Sequence, residues 1–226
     1  MYNGVPADTD VLLAGTRMWR IYEDGKPYSP DSFNPCKRDL VDARNLDLRK
    51  VKRPDQGRFD PVHDPAVCPG GAALGKFLYV GLGPGAVVGE GILRDRDIPV
   101  GPIPRAWVHG LGLVELEVTV AITVAVLDDQ ASLLKINQDS SLTSYDSADY
   151  AATRVTCTNL LVETPTAFGV RYQCRNGLDE RAAMLIDRGS TEMPIRIVNR
   201  GCIDEPGWAQ ETVEKGLFES YGRVFD

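Results

Sequence analysis

The stretch Ala86–Asp95, AVVGEGILRD, sets one carboxylate, Glu90, among small and apolar residues. An acid in such surroundings needs a purpose, and two chemistries suit it. It can pair with Arg94, four residues on, along a solvated helix face. Or it can face a ligand, with Gly89 and Gly91 letting that ligand approach closely. Just upstream, Gly81, Gly83 and Ala86 fall at GxGxxA spacing after an apolar run. A dinucleotide fingerprint would need a second parallel strand ending in an acid about 20 residues on. That region reads RDIPVGPIPRAWVHG, a proline-rich loop, so a glycine-mediated strand-to-helix turn is the favoured reading. The two histidines, His63 and His109, share neither metal nor triad spacing, and GxSxG, HExxH and Walker A patterns are absent. Cys174 has no recognisable partner that would make it a nucleophile.

The elements that must position Glu90 are readable from periodicity. KFLYVGL predicts a strand, and PGAVVGEGILRD a short helix with Pro84 near its start. Gly89 and Gly91 weaken that helix by about 1 kcal/mol each. From Val114 to Val126 apolar residues alternate with Glu, Thr and Ala, which predicts a long half-buried strand or two strands with a bend. SADYAATRVTCTNLLVE predicts a helix with Ser147 as N-cap and Val155 and Leu161 or Val162 facing the core. GVRYQC, AAMLID and PIRIVN predict short strands, and WAQETVEKGLFESYG a final helix. Residues 26–71 are rich in Pro, Asp and basic side chains and read as loop, with a short helix around DLVDARNLDL. The strands mostly lack regular βαβ alternation, so the class is α+β.

Composition bounds the rest. The chain has 226 residues, enough for one well-buried core. A net charge of −7 argues against broad nucleic-acid binding, and the basic run LRKVKRPDQGR is diluted by aspartates into a solvated loop. No apolar run approaches the roughly 18 residues of a membrane span. MYNGVPADTDVLLAG has no basic start and makes a poor signal peptide. Five cysteines, an odd number without a CxxC pair, argue against disulfides or a metal site and for a reducing cytoplasm.

Five segments then line up in order: RMWRIY (Arg17–Tyr22), GRFDP (Gly57–Pro61), LYVG (Leu78–Gly81), AVVGEGILRD (Ala86–Asp95) and FGVRYQCR (Phe168–Arg175). In order and in the Tyr79-to-Glu90 spacing the chain resembles the RES-domain family, toxins of bacterial RES–Xre toxin–antitoxin pairs. The resemblance implies an ADP-ribosyltransferase-like fold, a bent, split β-sheet with flanking helices around a cleft that binds NAD. It implies a single domain over 1–226, with a core at about 17–189, a long loop at about 26–57 and a C-terminal extension from 190 to 226. It implies NAD as substrate rather than resident cofactor, cleaved between nicotinamide and ribose, with water or inorganic phosphate as acceptor. Protein ADP-ribosylation, or a degenerate domain that only binds a nucleotide or partner, are the alternatives. An Xre-type antitoxin and a homo-oligomer are the implied partners.

Carried over by position, Arg20, Arg58, Tyr79 and Glu90 match the family's motif residues, and Tyr172 belongs to the RYQC strand. Cys174 stands where the family has serine, a swap that keeps size but weakens hydrogen bonding. Arg20 and Arg58 are expected to hold phosphates through the planar guanidinium fork, and Tyr79 to stack on nicotinamide. Glu90 is expected to stabilise the positive charge that builds on the ribosyl ring as nicotinamide leaves. Tyr172 and Cys174 are expected to line the pocket.

Overall fold

In a computed structural model, residues 2–26, 29–34, 57–62, 74–94, 96–144, 150–177, 179–189 and 194–226 are described. His63, Ser147 and the expected helix at DLVDARNLDL lie outside them. Eight strands form one sheet: β1 (Thr9–Leu12), β2 (Arg17–Glu23), β3 (Lys76–Gly81), β4 (Leu111–Val118), β5 (Ile122–Leu127), β6 (Gly169–Gln173), β7 (Arg181–Asp187) and β8 (Ile195–Cys202). Their order is β1-β5-β6-β7-β3-β2-β4-β8. Among the described residues only β5 and β6 pair as parallel strands.

The sheet is split near its middle. β3 pairs with β7 over Lys76–Gly81, and β2 pairs with β4 over Arg17–Glu23. Between β3 and β2 a single register pair remains, Trp19 opposite Gly81. The fold is therefore α+β, built on one mixed sheet that is split between β3 and β2. The long alternating run straddles the split. It breaks into β4 and β5, which join opposite halves of the sheet. Val120, at the break, is exposed, whereas Val114, Leu116, Val118, Ile122 and Val124 are buried. These five share a core with Met18 of β2, Leu78 and Val80 of β3, and Leu185 of β7. Glu115 and Glu117, on the other face of β4, pair with Arg17, and Glu117 also with Arg196 of β8.

Helices cover the outer faces. α1 (Pro84–Val88) runs directly into a π-helical turn, Gly89–Leu93. A short 3₁₀ turn (Arg105–Val108) precedes β4, and α2 (Gln130–Lys135) and α3 (Ser141–Ser144) follow β5. Asp129 caps α2 by accepting from the Ser132 N–H at 2.9 Å. α4 (Tyr150–Glu163) buries Thr153, Arg154, Cys157, Thr158, Leu160 and Leu161. The expected core position Val155 is only half-buried. The difference has a physical reason: the inward face of α4 is partly polar because it holds a loop. Thr153 Oγ1 donates to the Arg58 carbonyl at 2.6 Å, Arg154 Nε donates to the Asp60 carbonyl at 3.2 Å, and the Val62 N–H donates to Thr158 Oγ1 at 2.9 Å.

The C-terminal segment is built into this architecture rather than appended to it. β8 extends the sheet beside β4. α5 (Trp208–Tyr221) stops at Gly222, which adopts the left-handed conformation with φ 60°. Ala209, Val213 and Leu217 of α5 pack with Val87, Val88, Ile92 and Leu93. Full burial of such side chains stabilises by about 1.5–3 kcal/mol each, so α5 anchors the helical segment that carries Glu90. No helix among the described residues is long and apolar enough to cross a membrane.

Candidate active site

A cleft opens at the split between β2 and β3. Its walls are Trp19, Arg20 and Ile21 from β2, Tyr79 and Gly81 from β3, and Glu90, Gly91 and Arg94 from the helical segment. Tyr172 of β6 closes one side. The enclosed part of the cleft holds about 110 Å³ and opens to solvent, small beside the roughly 300–1,000 Å³ of small-molecule sites.

Glu90 occupies the π-turn, with 13 % of its side chain exposed. π-turns insert an extra residue into a helix and recur at functional sites. The carboxylate accepts from the Tyr172 hydroxyl and from the Arg175 N–H, both at 3.4 Å. Both contacts are long for hydrogen bonds, so the carboxylate keeps capacity for a ligand hydroxyl. Arg94 approaches Glu90 at 3.8 Å, the i,i+4 pair read from the sequence. The pair lies in the cleft, not on a solvated face, with Arg94 only 19 % exposed and stacked 5.2 Å from the Tyr150 ring centre. Arg94 is not among the motif residues, although its four-residue spacing from Glu90 is a signal: where Glu90 faces, Arg94 faces too.

Arg20 lies on the β2 wall. Its Nη1 donates to the carbonyls of Pro30 and Ser32, each at 2.9 Å. One corner of the fork thus holds a neighbouring loop. Burial lowers the Arg20 pKa, offset in part by Asp31.

Tyr79 presents its ring to the cleft while its hydroxyl ties down the loop bearing Arg58. That hydroxyl donates to Asp60 Oδ1 at 2.9 Å and accepts from the Phe59 N–H at 2.8 Å. Asp60 Oδ2 accepts from the Gly57 N–H at 2.7 Å. Burial raises the pKa of the Asp60 carboxyl, opposed by the Gly57 hydrogen bond and by Arg154. Burial likewise raises the Tyr79 pKa well above the usual phenol value, with Asp60 adding to it.

Arg58, expected to hold a phosphate, is not among the residues that line the cleft. Its side chain is buried, with the residue 1 % exposed, and among the described residues Nε, Nη1 and Nη2 have no hydrogen-bond partner. The guanidinium lies 5.7–5.8 Å from the ring centres of Phe59, Tyr150 and Tyr172. It sits behind the Tyr172 wall, outside the residues lining the cleft. Cys174 departs from its expected pocket-lining position in the same way. It is 3 % exposed and contacts the Ala86 carbonyl at 3.9 Å. Burial, followed by Glu90 and Glu180, raises its pKa, so it stays a neutral thiol. The reason for both placements is local: β6 points Tyr172 and Cys174 to one face, under α1, and the polar face of α4 draws the Arg58 loop inward.

The structure thus brings Arg20, Tyr79, Glu90 and Tyr172 to one cleft and sets Arg58 and Cys174 behind it. His109 is remote; its Nδ1 lies 2.9 Å from Asp204 Oδ2 at the surface. The glycine run is not a dinucleotide cradle, since both neighbours of β3 are antiparallel to it. Its residues serve close packing: a Cβ on Gly81 would lie 2.6 Å from the Val87 nitrogen, and one on Gly91 2.9 Å from Ile21 Cδ1.

No protein-family model matches the chain, and no curated protein matches it in sequence. Among solved structures, the chain is similar to one from the M. tuberculosis MbcT–MbcA toxin–antitoxin complex, with a TM-score of 0.50 over 84 % of this chain and 85 % of that one. The two are 10 % identical, so the likeness bears on the fold.

Proposed function

We propose that the protein is an NAD-consuming enzyme that breaks the bond between nicotinamide and ribose, acting as a toxin in the cytoplasm of a bacterium. The observation that carries this reading is Glu90: a carboxylate held loosely in the cleft of a split sheet, facing an aromatic wall and two arginines. The C–N bond breaks with its electron pair leaving on nicotinamide. Positive charge then builds on the ribosyl ring, and the Glu90 carboxylate stabilises it while accepting from a ribose hydroxyl. Water or inorganic phosphate attacks the same carbon. Tyr79 offers its ring to nicotinamide and shields the site, since its hydroxyl is already engaged with Asp60 and Phe59. The rest of the Arg20 fork takes the diphosphate. Arg58 reaches a phosphate only when the loop carrying it leaves the aromatic box, so its binding role belongs to a ligand-bound arrangement. An Xre-type antitoxin is the proposed partner, in keeping with the toxin–antitoxin complex that has a similar fold.

The test is incubation of the purified protein with NAD, with and without phosphate, beside a Glu90→Gln control. Nicotinamide that appears with the wild type and not with the control supports the reading. ADP-ribose or ADP-ribose 1″-phosphate identifies the acceptor. NAD that stays intact with both proteins overturns it.

A further inference from the structure

Arg94 lines the cleft and pairs with Glu90, and the proposed reaction leaves it without a role. Three observations define its position. It lines the cleft. Its Nη1 is 3.8 Å from Glu90 Oε2, an ion-pair separation longer than a hydrogen bond. Its guanidinium carbon lies over the Tyr150 ring, 5.2 Å from the ring centre. Arg20, on the opposite wall, already has one nitrogen held by two carbonyls, and Arg58 is behind the wall.

An anion brought beside the Glu90 carboxylate would be repelled by it. A cation that touches both removes that repulsion. Arginine, with its planar donor set, does this for phosphate oxygens better than a point charge. We propose that Arg94 binds a phosphate group next to Glu90. Resting on the NAD-cleaving reading, that group is either the inorganic phosphate that attacks the ribosyl carbon or the substrate's own diphosphate. In the first case Arg94 decides how far phosphate outcompetes water. In the second it sets how NAD is seated.

The experiment compares wild type with Arg94→Met and Arg94→Lys. Initial rates are measured over a range of NAD and of phosphate, and products are separated. Loss of a charge-assisted contact weakens binding about ten- to hundredfold. If Arg94 holds the acceptor, Arg94→Met raises the KM for phosphate by that factor, moves product toward ADP-ribose and leaves the KM for NAD unchanged. If it holds the diphosphate, the KM for NAD rises and the product ratio stays the same. Arg94→Lys recovers part of either effect. A fall in kcat alone, with both KM values and the product ratio unchanged and the pH profile displaced, overturns the proposal and leaves Arg94 as a group that only tunes Glu90. If the wild type releases no nicotinamide, calorimetric titration with inorganic phosphate and with pyrophosphate decides the matter separately. Affinity lost in Arg94→Met upholds the phosphate site, and equal affinity overturns it. Thermal melts confirm that both variants are folded.

Discussion

Replacing Arg58 with methionine is expected to make the protein more stable. A guanidinium removed from water costs several kcal/mol unless it is paired, and here its three nitrogens have no hydrogen-bond partner among the described residues. Compensation comes from the rings of Phe59, Tyr150 and Tyr172 at 5.7–5.8 Å. These lie near the ~6 Å limit of a cation–π contact, where each contributes less than the about 2 kcal/mol of a close desolvated contact. The charge therefore remains a net cost. Methionine keeps an unbranched stem among the same rings, adds sulfur–aromatic contacts of about 0.3–1.5 kcal/mol, and removes the charge. The expected gain is about 1–3 kcal/mol, which for a chain of this size raises Tm by roughly 2–4 °C per kcal/mol. Urea unfolding and calorimetry measure it, with nicotinamide release followed in parallel. Higher stability with lower turnover marks Arg58 as kept for its ligand. A variant less stable than wild type by 1 kcal/mol or more refutes the reasoning, because the charge would then be compensated by a partner.

Four further outcomes are expected. Glu90→Gln lowers kcat for nicotinamide release by about 10²–10³-fold while its circular dichroism melt stays that of the wild type. Tyr79→Phe keeps the ring but strips Asp60 and the Phe59 N–H of a partner, a loss of about 1–3 kcal/mol readable in urea unfolding. Gly216→Ala puts a Cβ 2.6 Å from the backbone carbonyl of Pro84. It costs about 1–3 kcal/mol and displaces the start of α1, so stability and turnover fall together. Asp60 has a folded pKa raised by burial, so the folded state holds its proton more tightly than the unfolded chain, whose value is about 3.9. That contribution is full below the unfolded value and lost as pH rises through the folded one. Stability of wild type relative to Asp60→Asn therefore increases as pH falls from 7 toward about 4, measured by urea unfolding at several pH values. A difference independent of pH would show that Asp60 titrates alike in both states.

Elements whose periodicity reflects apolar burial were legible in the sequence. β3, β6, β7 and α5 fall within a few residues of their expected spans, because burial of Leu78, Val80, Val170, Met184 and Leu185 is written in the pattern itself. The inward face of α4 was not legible. Thr153, Arg154 and Thr158 are polar and face a loop about 95 positions earlier in the chain, and no local pattern reports so distant a partner. The same contacts decide where Arg58 goes. The motif could mark it, but its burial depends on α4, Phe59 and Tyr172 meeting in space. Glu90 and Arg94 show the opposite limit: their pairing was legible from four-residue spacing, their environment was not, since it is set by which half of the sheet lies beside them.

The glycines around Glu90 explain how that environment arises. Two strands joined by a single register pair leave a gap, and a helical segment must enter it closely enough to present its carboxylate without filling it. A Cβ at Gly81 would meet the α1 backbone, one at Gly91 would meet Ile21 of β2, and one at Gly89 would lie 2.2 Å from the Tyr221 hydroxyl of α5. That hydroxyl in turn donates to the Gly85 carbonyl at 2.9 Å. At Gly81 the approach is of backbone and leaves no room for a side chain, whereas at Gly91 and Gly89 a Cβ would require the Ile21 or Tyr221 side chain to shift. The π-turn between them lets Glu90 and Arg94 turn into the cleft together while Ile92 and Leu93 stay buried behind. The weak helix propensity of GEGIL is the local cost of this close approach, and α5 offsets it from the far end of the chain. It follows that residues after 190, absent from every motif that marked the cleft, hold its acid in place.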